Sequence, residues 1–227
     1  MGEPDTVTLS YIRQQFMREL LQKHKNLWKQ REYLFSVLLS FLLIAVSLGI
    51  NYLAGTYASR SASNAVTDIL LDHLPVLNVD PIFVEGFAIF LIFVLVLLLN
   101  EPKRIPFVLK TTALFICIRA IFMSLTHIGP FPEQTTIESG PIIRYINFTG
   151  DLFFSGHTGT PFLMALIFWE NKTLRWIFIG ISLLFAAAVL LGHLHYSIDV
   201  FAAFFITFTI FHLAKNFFAK DYQLFKA

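Results

Sequence analysis

Six apolar segments, each close to the ~20 residues that a helix needs to cross a hydrocarbon core, occupy most of this 227-residue chain. They lie near 34–54, 82–99, 105–126, 154–170, 174–193 and 197–215. In lipid the backbone must satisfy its own hydrogen bonds, and for runs of this length the solution is a helix. Punctuation falls between the segments: Pro75 and Pro81, Glu101-Pro102-Lys103-Arg104, Pro130 and Pro132, and Asn171-Lys172. Only 14% of the chain is charged and mean hydropathy is +0.66, whereas a soluble domain carries roughly 25% charged residues. The expected fold is all-α: a polytopic membrane protein built as a six-transmembrane-helix bundle over 34–215. A basic segment, 1–33, precedes it and a tail, 216–227, follows.

Charge sets the expected orientation. Six spans put both termini on one side. That side holds every Lys and Arg among the 17 except Arg60, Arg119 and Arg144. Basic residues favour cytoplasmic loops, so both termini are expected in the cytoplasm. In residues 1–33, Ile12, Phe16 and Leu20 recur at i, i+4, with Arg13, Arg18, Lys23, Lys25 and Lys29 on other faces. This suits a helix on an anionic membrane surface; a cytosolic helix without lipid contact fits as well. No cleavable signal is visible, since the first apolar run starts near Leu34. A net charge of +2 gives no reason to expect nucleic acid as a partner, and the lone Cys117 allows no intrachain disulfide.

Ionisable groups at membrane depth are costly and tend to mark functional sites. Two stretches carry them: Gly150-Asp151-Leu152-Phe153-Phe154-Ser155-Gly156-His157-Thr158, and His195-Tyr196-Ser197-Ile198-Asp199. In the expected orientation His157, His195 and Asp199 all reach the outer ends of their helices. Arg119 falls in the outer half of the third span and Arg144 in the adjoining outer loop. The i, i+4 spacing of His195 and Asp199 places a carboxylate one helical turn from an imidazole. Such a pair fixes the ring's tautomer and raises its nucleophilicity. His157 can act as general acid. Ser155 and Gly156 at a helix start offer backbone N–H groups to an anion. Together these describe phosphoryl transfer through a phospho-histidine. The alternative for each histidine is a buried polar residue that stabilises the bundle. His193 would face away from His195 on a regular helix, unless the helix breaks at Gly192. Asp151, His157, His195 and Asp199 could bind one zinc ion, but no His-Glu-x-x-His spacing occurs. No metal or cofactor is expected.

These motifs resemble the sphingomyelin synthase-related proteins, a branch of the type 2 phosphatidic acid phosphatase superfamily. The resemblance rests on Gly150 to Thr158, on His195 to Val200, and on Arg119-Ala120-Ile121-Phe122 through Leu125-Thr126 to Pro130. A weaker match is Leu74-Pro75-Val76-Leu77 with Asp80. It covers residues 74 to about 205 and implies a six-helix bundle with His157, His195 and Asp199 as an exoplasmic catalytic triad. The chain departs from the family at Thr149, where Cys is frequent, and at Leu194, where animal sphingomyelin synthases carry an acid.

Phosphatases of the same superfamily hold a phosphomonoester dianion with a Lys-x6-Arg-Pro motif and an Arg six residues before the second His. Here position 189 is Val and the motif is missing. A phosphodiester carries one charge, which Arg119 or Arg144 could match alone. The expected activity is therefore head-group transfer from a glycerophospholipid to a lipid alcohol such as a ceramide. Asp151, Ser155, Gly156 and His193 are further candidates for the substrate site. A lipid phosphatase or phosphodiesterase, or a non-catalytic protein retaining the fold, are the alternatives. Membrane lipids are the expected substrates, in a plasma or bacterial inner membrane; the sequence leaves the oligomeric state open.

Overall fold

The computed structural model describes residues 6–137 and 152–226. Among these the chain is helical throughout, without strands. The helices are α1 (Thr6–Trp28), α2 (Arg31–Ser61), α3 (Phe87–Asn100), α4 (Ile105–Leu125), α5 (Gly156–Ile167), α6 (Lys172–Leu191), α7 (Ser197–Phe217) and α8 (Ala219–Lys226). A π-helical turn, Ile82–Gly86, leads into α3, and a 3-10 turn, Pro102–Arg104, leads into α4. Five helical stretches are long and apolar enough to cross a membrane: Arg31–Ser61, Ile82–Asn100, Pro102–Leu125, Lys172–Leu191 and Ser197–Phe217. That is the signature of an integral membrane protein.

The fourth apolar segment differs from its expectation. Of 154–170, only the 12 residues of α5 are helical, about 18 Å of rise against a core of about 30 Å. Local caps explain this. Ser155 Oγ accepts from the Thr158 amide at 3.3 Å and sets the start. The helix stops at Phe168, and Asn171 Oδ1 then caps α6 by accepting from Leu174 N at 3.0 Å. Apolar residues outside the caps lengthen the hydropathy signal without lengthening the helix. This segment still carries the chain from one end of the bundle to the other. At the first end the Phe154 carbonyl accepts from Arg119 Nε in the second half of α4 (2.8 Å); at the second Glu170 pairs with Lys226 (2.6 Å).

Both terminal helices dock at that second end. Lys23 pairs with Glu101 (2.8 Å), and His24 Nε2 donates to the Leu99 carbonyl (2.8 Å) while Trp28 Nε1 donates to His24 Nδ1 (3.2 Å). Burial pushes the Glu101 carboxyl up, but Lys23, with Arg104 and Lys103, outweighs it and holds the group below its ordinary value. Within the expected tail, residues 216–226 hold the end of α7 and then α8. Asp221 anchors α8, accepting from Ser36 Oγ (2.5 Å) and from Lys110 Nζ (2.6 Å); Lys110 also donates to Ser36 (2.7 Å).

Packing follows membrane rules. Small residues let helices approach closely: Ala54 and Ala58 of α2 meet Ala120 and Met123 of α4. Phe35, Leu38, Leu42 and Leu53 of α2 point outward, as a hydrocarbon solvent permits. A Cβ on Gly159 would lie 2.8 Å from the Phe115 ring and 2.9 Å from Thr207 Oγ1. Only glycine allows α4 and α7 to close on α5 there.

Candidate active site

The start of α7 places His195 and Asp199. His195 lies before the helix, Tyr196 is the N-cap and Asp199 is the third helical residue. Helix geometry alone therefore does not produce the i, i+4 pair. The carboxylate reaches backward, as acidic residues in a first turn do. Asp199 Oδ2 accepts from the Tyr196 amide (3.0 Å) and from His195 Nδ1 (3.2 Å). A carboxylate can only accept, so Nδ1 carries the proton and Nε2 of the neutral ring keeps its lone pair. Asp199 is 0% exposed and His195 6%. Among the described residues Asp199 Oδ1 has no hydrogen-bond partner.

Two contacts fix this helix start. Tyr196 Oη donates to the Gly129 carbonyl (2.8 Å) and accepts from Val66 N (3.2 Å). Asp68 Oδ2 accepts from Ser197 N (2.7 Å), while its Oδ1 accepts from Leu70 N (2.9 Å) and Leu71 N (3.2 Å). Burial pushes the Asp68 carboxyl up, but the hydrogen bonds from Ser197, Leu71 and Leu70 outweigh it and hold the group below its ordinary value.

His157 stands in the first turn of α5. Its ring stacks on Phe83 with centroids 3.8 Å apart and planes 21° apart; Phe87 (4.3 Å) and Phe185 (5.8 Å) close other sides. Phe83 lies within the π-turn and Phe87 follows it, a kind of helix defect frequent at functional sites. Ser155 N, two residues before His157, donates to the Asp199 carbonyl at 3.2 Å and ties the start of α5 to the start of α7. Pro161, four residues on, has no N–H for the His157 carbonyl.

Arg119 comes from α4 and is 7% exposed. Its Nε donates to the Phe154 carbonyl at 2.8 Å. A Cβ on Gly156 would lie 3.2 Å from that Nε, so the missing side chain makes room for the guanidinium. A cation is thus held at the amino end of a helix, where the dipole is also positive. Two positive features converging on one point suit an anion between them.

The structure therefore gathers His157, His195, Asp199, Arg119, Ser155 and Gly156. Arg144 and Asp151 lie outside the described residues. His193 is held by contacts of its own. The helix does break: α6 ends at Leu191, Gly192 caps it, and His193 adopts φ 55°. Its Nδ1 meets the Glu133 carbonyl (3.0 Å) and its ring edges against Phe131 (5.1 Å). Among the described residues no group of three His, Cys, Asp or Glu side chains is placed to hold a metal ion. Sequence reasoning missed Asp68, the aromatic walls Phe83, Phe87 and Phe185, and the anchoring role of Tyr196. Tyr196 sat inside a motif already singled out; the others carry no local signal.

No curated protein and no solved structure matches the chain. Residues 149–216, which include His157, His195 and Asp199, are similar to the family model described as PAP2 superfamily C-terminal.

Proposed function

We propose that the protein is a membrane lipid phosphotransferase that moves a phospho-head group from a glycerophospholipid to a lipid alcohol of the ceramide type. The carrying observation is the Asp199–His195 pair (3.2 Å) tied to the amino end of α5, where His157 and Arg119 stand, by the Ser155 amide donating to the Asp199 carbonyl (3.2 Å). In this reading Asp199 orients His195 and stabilises the charge that develops on its ring. His195 Nε2 attacks the phosphorus, the bond to the diacylglycerol oxygen breaks, and His157 gives that oxygen its proton. His157 then takes the proton of the acceptor hydroxyl, whose oxygen attacks phosphorus and releases Nε2. Arg119 and the α5 amides face the phosphoryl oxygens throughout. Arg144, Asp151 and His193 remain candidates for the substrate's far side.

Position 189 favours a phosphodiester. Where the superfamily's phosphatases carry an arginine, Val189 is fully buried beside Phe83, Ala186 and Val200. One buried guanidinium balances one negative charge better than two. The second reading, a lipid phosphatase or phosphodiesterase, draws on the superfamily match itself.

The bundle is proposed to cross the membrane six times, with the α5 segment as the short crossing, both termini cytoplasmic and His157 and His195 exoplasmic. The basic residue distribution supports this orientation.

The test is incubation of the purified protein with head-group-labelled phosphatidylcholine or phosphatidylethanolamine and ceramide. Label on the acceptor lipid supports transfer. Free phosphocholine, phosphoethanolamine or phosphate supports hydrolysis. Turnover that survives both His195→Ala and His157→Ala rejects the phospho-histidine reading.

A further inference from the structure

At the end of the bundle opposite His195, a cavity of about 490 Å³ opens between the 3-10 turn, the carboxyl ends of α5 and α7, and α8. Its size falls in the range of about 300–1,000 Å³ typical of small-molecule sites. Along α7 its lining begins at Phe208, about 17 Å of rise from the helix start that carries His195.

Its charge is one-sided. Lys103, Arg104, Lys215 and Lys226 line it against one acid, Glu170. Glu170 is taken by Lys226 at 2.6 Å. Among the described residues Lys103, Arg104 and Lys215 have no ion-pair partner. Arg104 Nε is buried and donates to nothing. Its guanidinium lies over the Phe168 and Phe225 rings (5.3 and 5.4 Å). The Lys215 ammonium lies over Phe211 (4.9 Å) and Tyr222 (6.0 Å). Aromatic faces thus hold Arg104 and Lys215 in place, and Glu101, the acid on which Arg104 and Lys103 also act, is paired with Lys23.

An arginine guanidinium and a lysine ammonium lining one cavity match the oxygens of a phosphate group. The cavity is also open to the apolar surface: Phe208 lines it and is half exposed on the outer face of α7. A ligand with a phosphate head could lay its hydrocarbon along that face. We propose that this cavity is a binding site for one anionic phospholipid, with its phosphate held by Arg104 and Lys215 and its chains running past Phe208. The site is separate from the histidines and does not rest on the phosphotransfer reading.

The test uses the full chain in nanodiscs of phosphatidylcholine containing phosphatidylglycerol, with retained lipid counted by native mass spectrometry. Wild type is expected to retain one phosphatidylglycerol in preference to phosphatidylcholine. Arg104→Gln with Lys215→Gln is expected to lower that retention about tenfold or more. Arg18→Gln with Lys25→Gln, which removes equal charge from α1, is expected to leave it unchanged. Equal retention of both lipids by wild type overturns the proposal, and this arm needs no variant to fold. Equal loss in the α1 variant also overturns it, because bulk charge would then be the cause. Inorganic phosphate is the last arm. If millimolar phosphate displaces phosphatidylglycerol completely and binds equally well without lipid, the ligand is the free anion and the lipid assignment fails.

Discussion

Arg119 and Gly156 are fitted to one another: a Cβ on the glycine would stand 3.2 Å from the arginine's Nε. The guanidinium bonds the Phe154 carbonyl across that empty space, and a methyl group there would press on it. Gly156→Ala is expected to displace Arg119 by a few tenths of an ångström or more. Lipid turnover is expected to fall about 10–100-fold, in line with the cost of misplacing a charged group near the chemistry. Thermal unfolding in detergent should move by only a few degrees. An unchanged turnover rate would separate Arg119 from the reaction.

Asp199→Asn tests the tautomer. An amide can present its NH2 to His195 Nδ1, which would move the ring proton to Nε2 and remove the nucleophilic lone pair. Turnover is expected to drop about 10³–10⁴-fold. A stopped reaction of wild type with labelled donor lipid should leave an acid-labile label on the protein. That label should vanish in His195→Ala.

Asp68 gives a pH signature. Its carboxyl titrates below the ordinary carboxylate value because amides of Ser197, Leu71 and Leu70 favour the charged form over the opposing effect of burial. A depressed folded value contributes stability above the unfolded pKa of about 3.9. That contribution is lost as pH falls through the folded value. Asp68→Asn also turns a donor toward Ser197 N. The variant is expected to be less stable by about 1–3 kcal/mol at pH 7. The gap between its melting temperature and that of wild type should narrow in acid. A gap that stays constant from pH 7 to pH 3 would mean the charge contributes nothing.

Lys110 and Asp221 form a buried ion pair, with side chains 6% and 12% exposed. Breaking it from one side strands a charge. Lys110→Met is expected to cost about 3–5 kcal/mol, and Lys110→Met with Asp221→Leu to recover most of that loss. Chemical denaturation in mixed micelles reads both values. Additive losses in the double variant would show that the two residues act independently.

Much of this architecture is written in hydropathy. The long apolar runs become α2, α3, α4, α6 and α7 with ends displaced by a few residues, because lipid leaves a backbone little besides helix. The fourth run misled for a physical reason. Phe154, Phe168 and Trp169 are as apolar as a span requires, yet the caps at Ser155 and Asn171 confine the helix between them. The His195 and Asp199 pairing was legible as a spacing, though its cause is a backward reach in a first helical turn. The walls around His157 were not legible. Phe83 and Phe87 are two among 26 phenylalanines, and only the π-turn aims them at the imidazole. Asp68 reaches Ser197 across 129 positions, a distance that no local pattern records. Arg144 and Asp151 remain expectations of the sequence alone.

One oxygen, Asp199 Oδ2, serves both the imidazole and the amide that begins α7. In the proposed reaction, architecture and reactivity share a single atom there. Substitutions at this position cannot tune one property while sparing the other. Directed evolution toward a new head group should therefore leave this carboxylate alone and find its gains in the aromatic walls around His157, where shape can vary without loosening a helix.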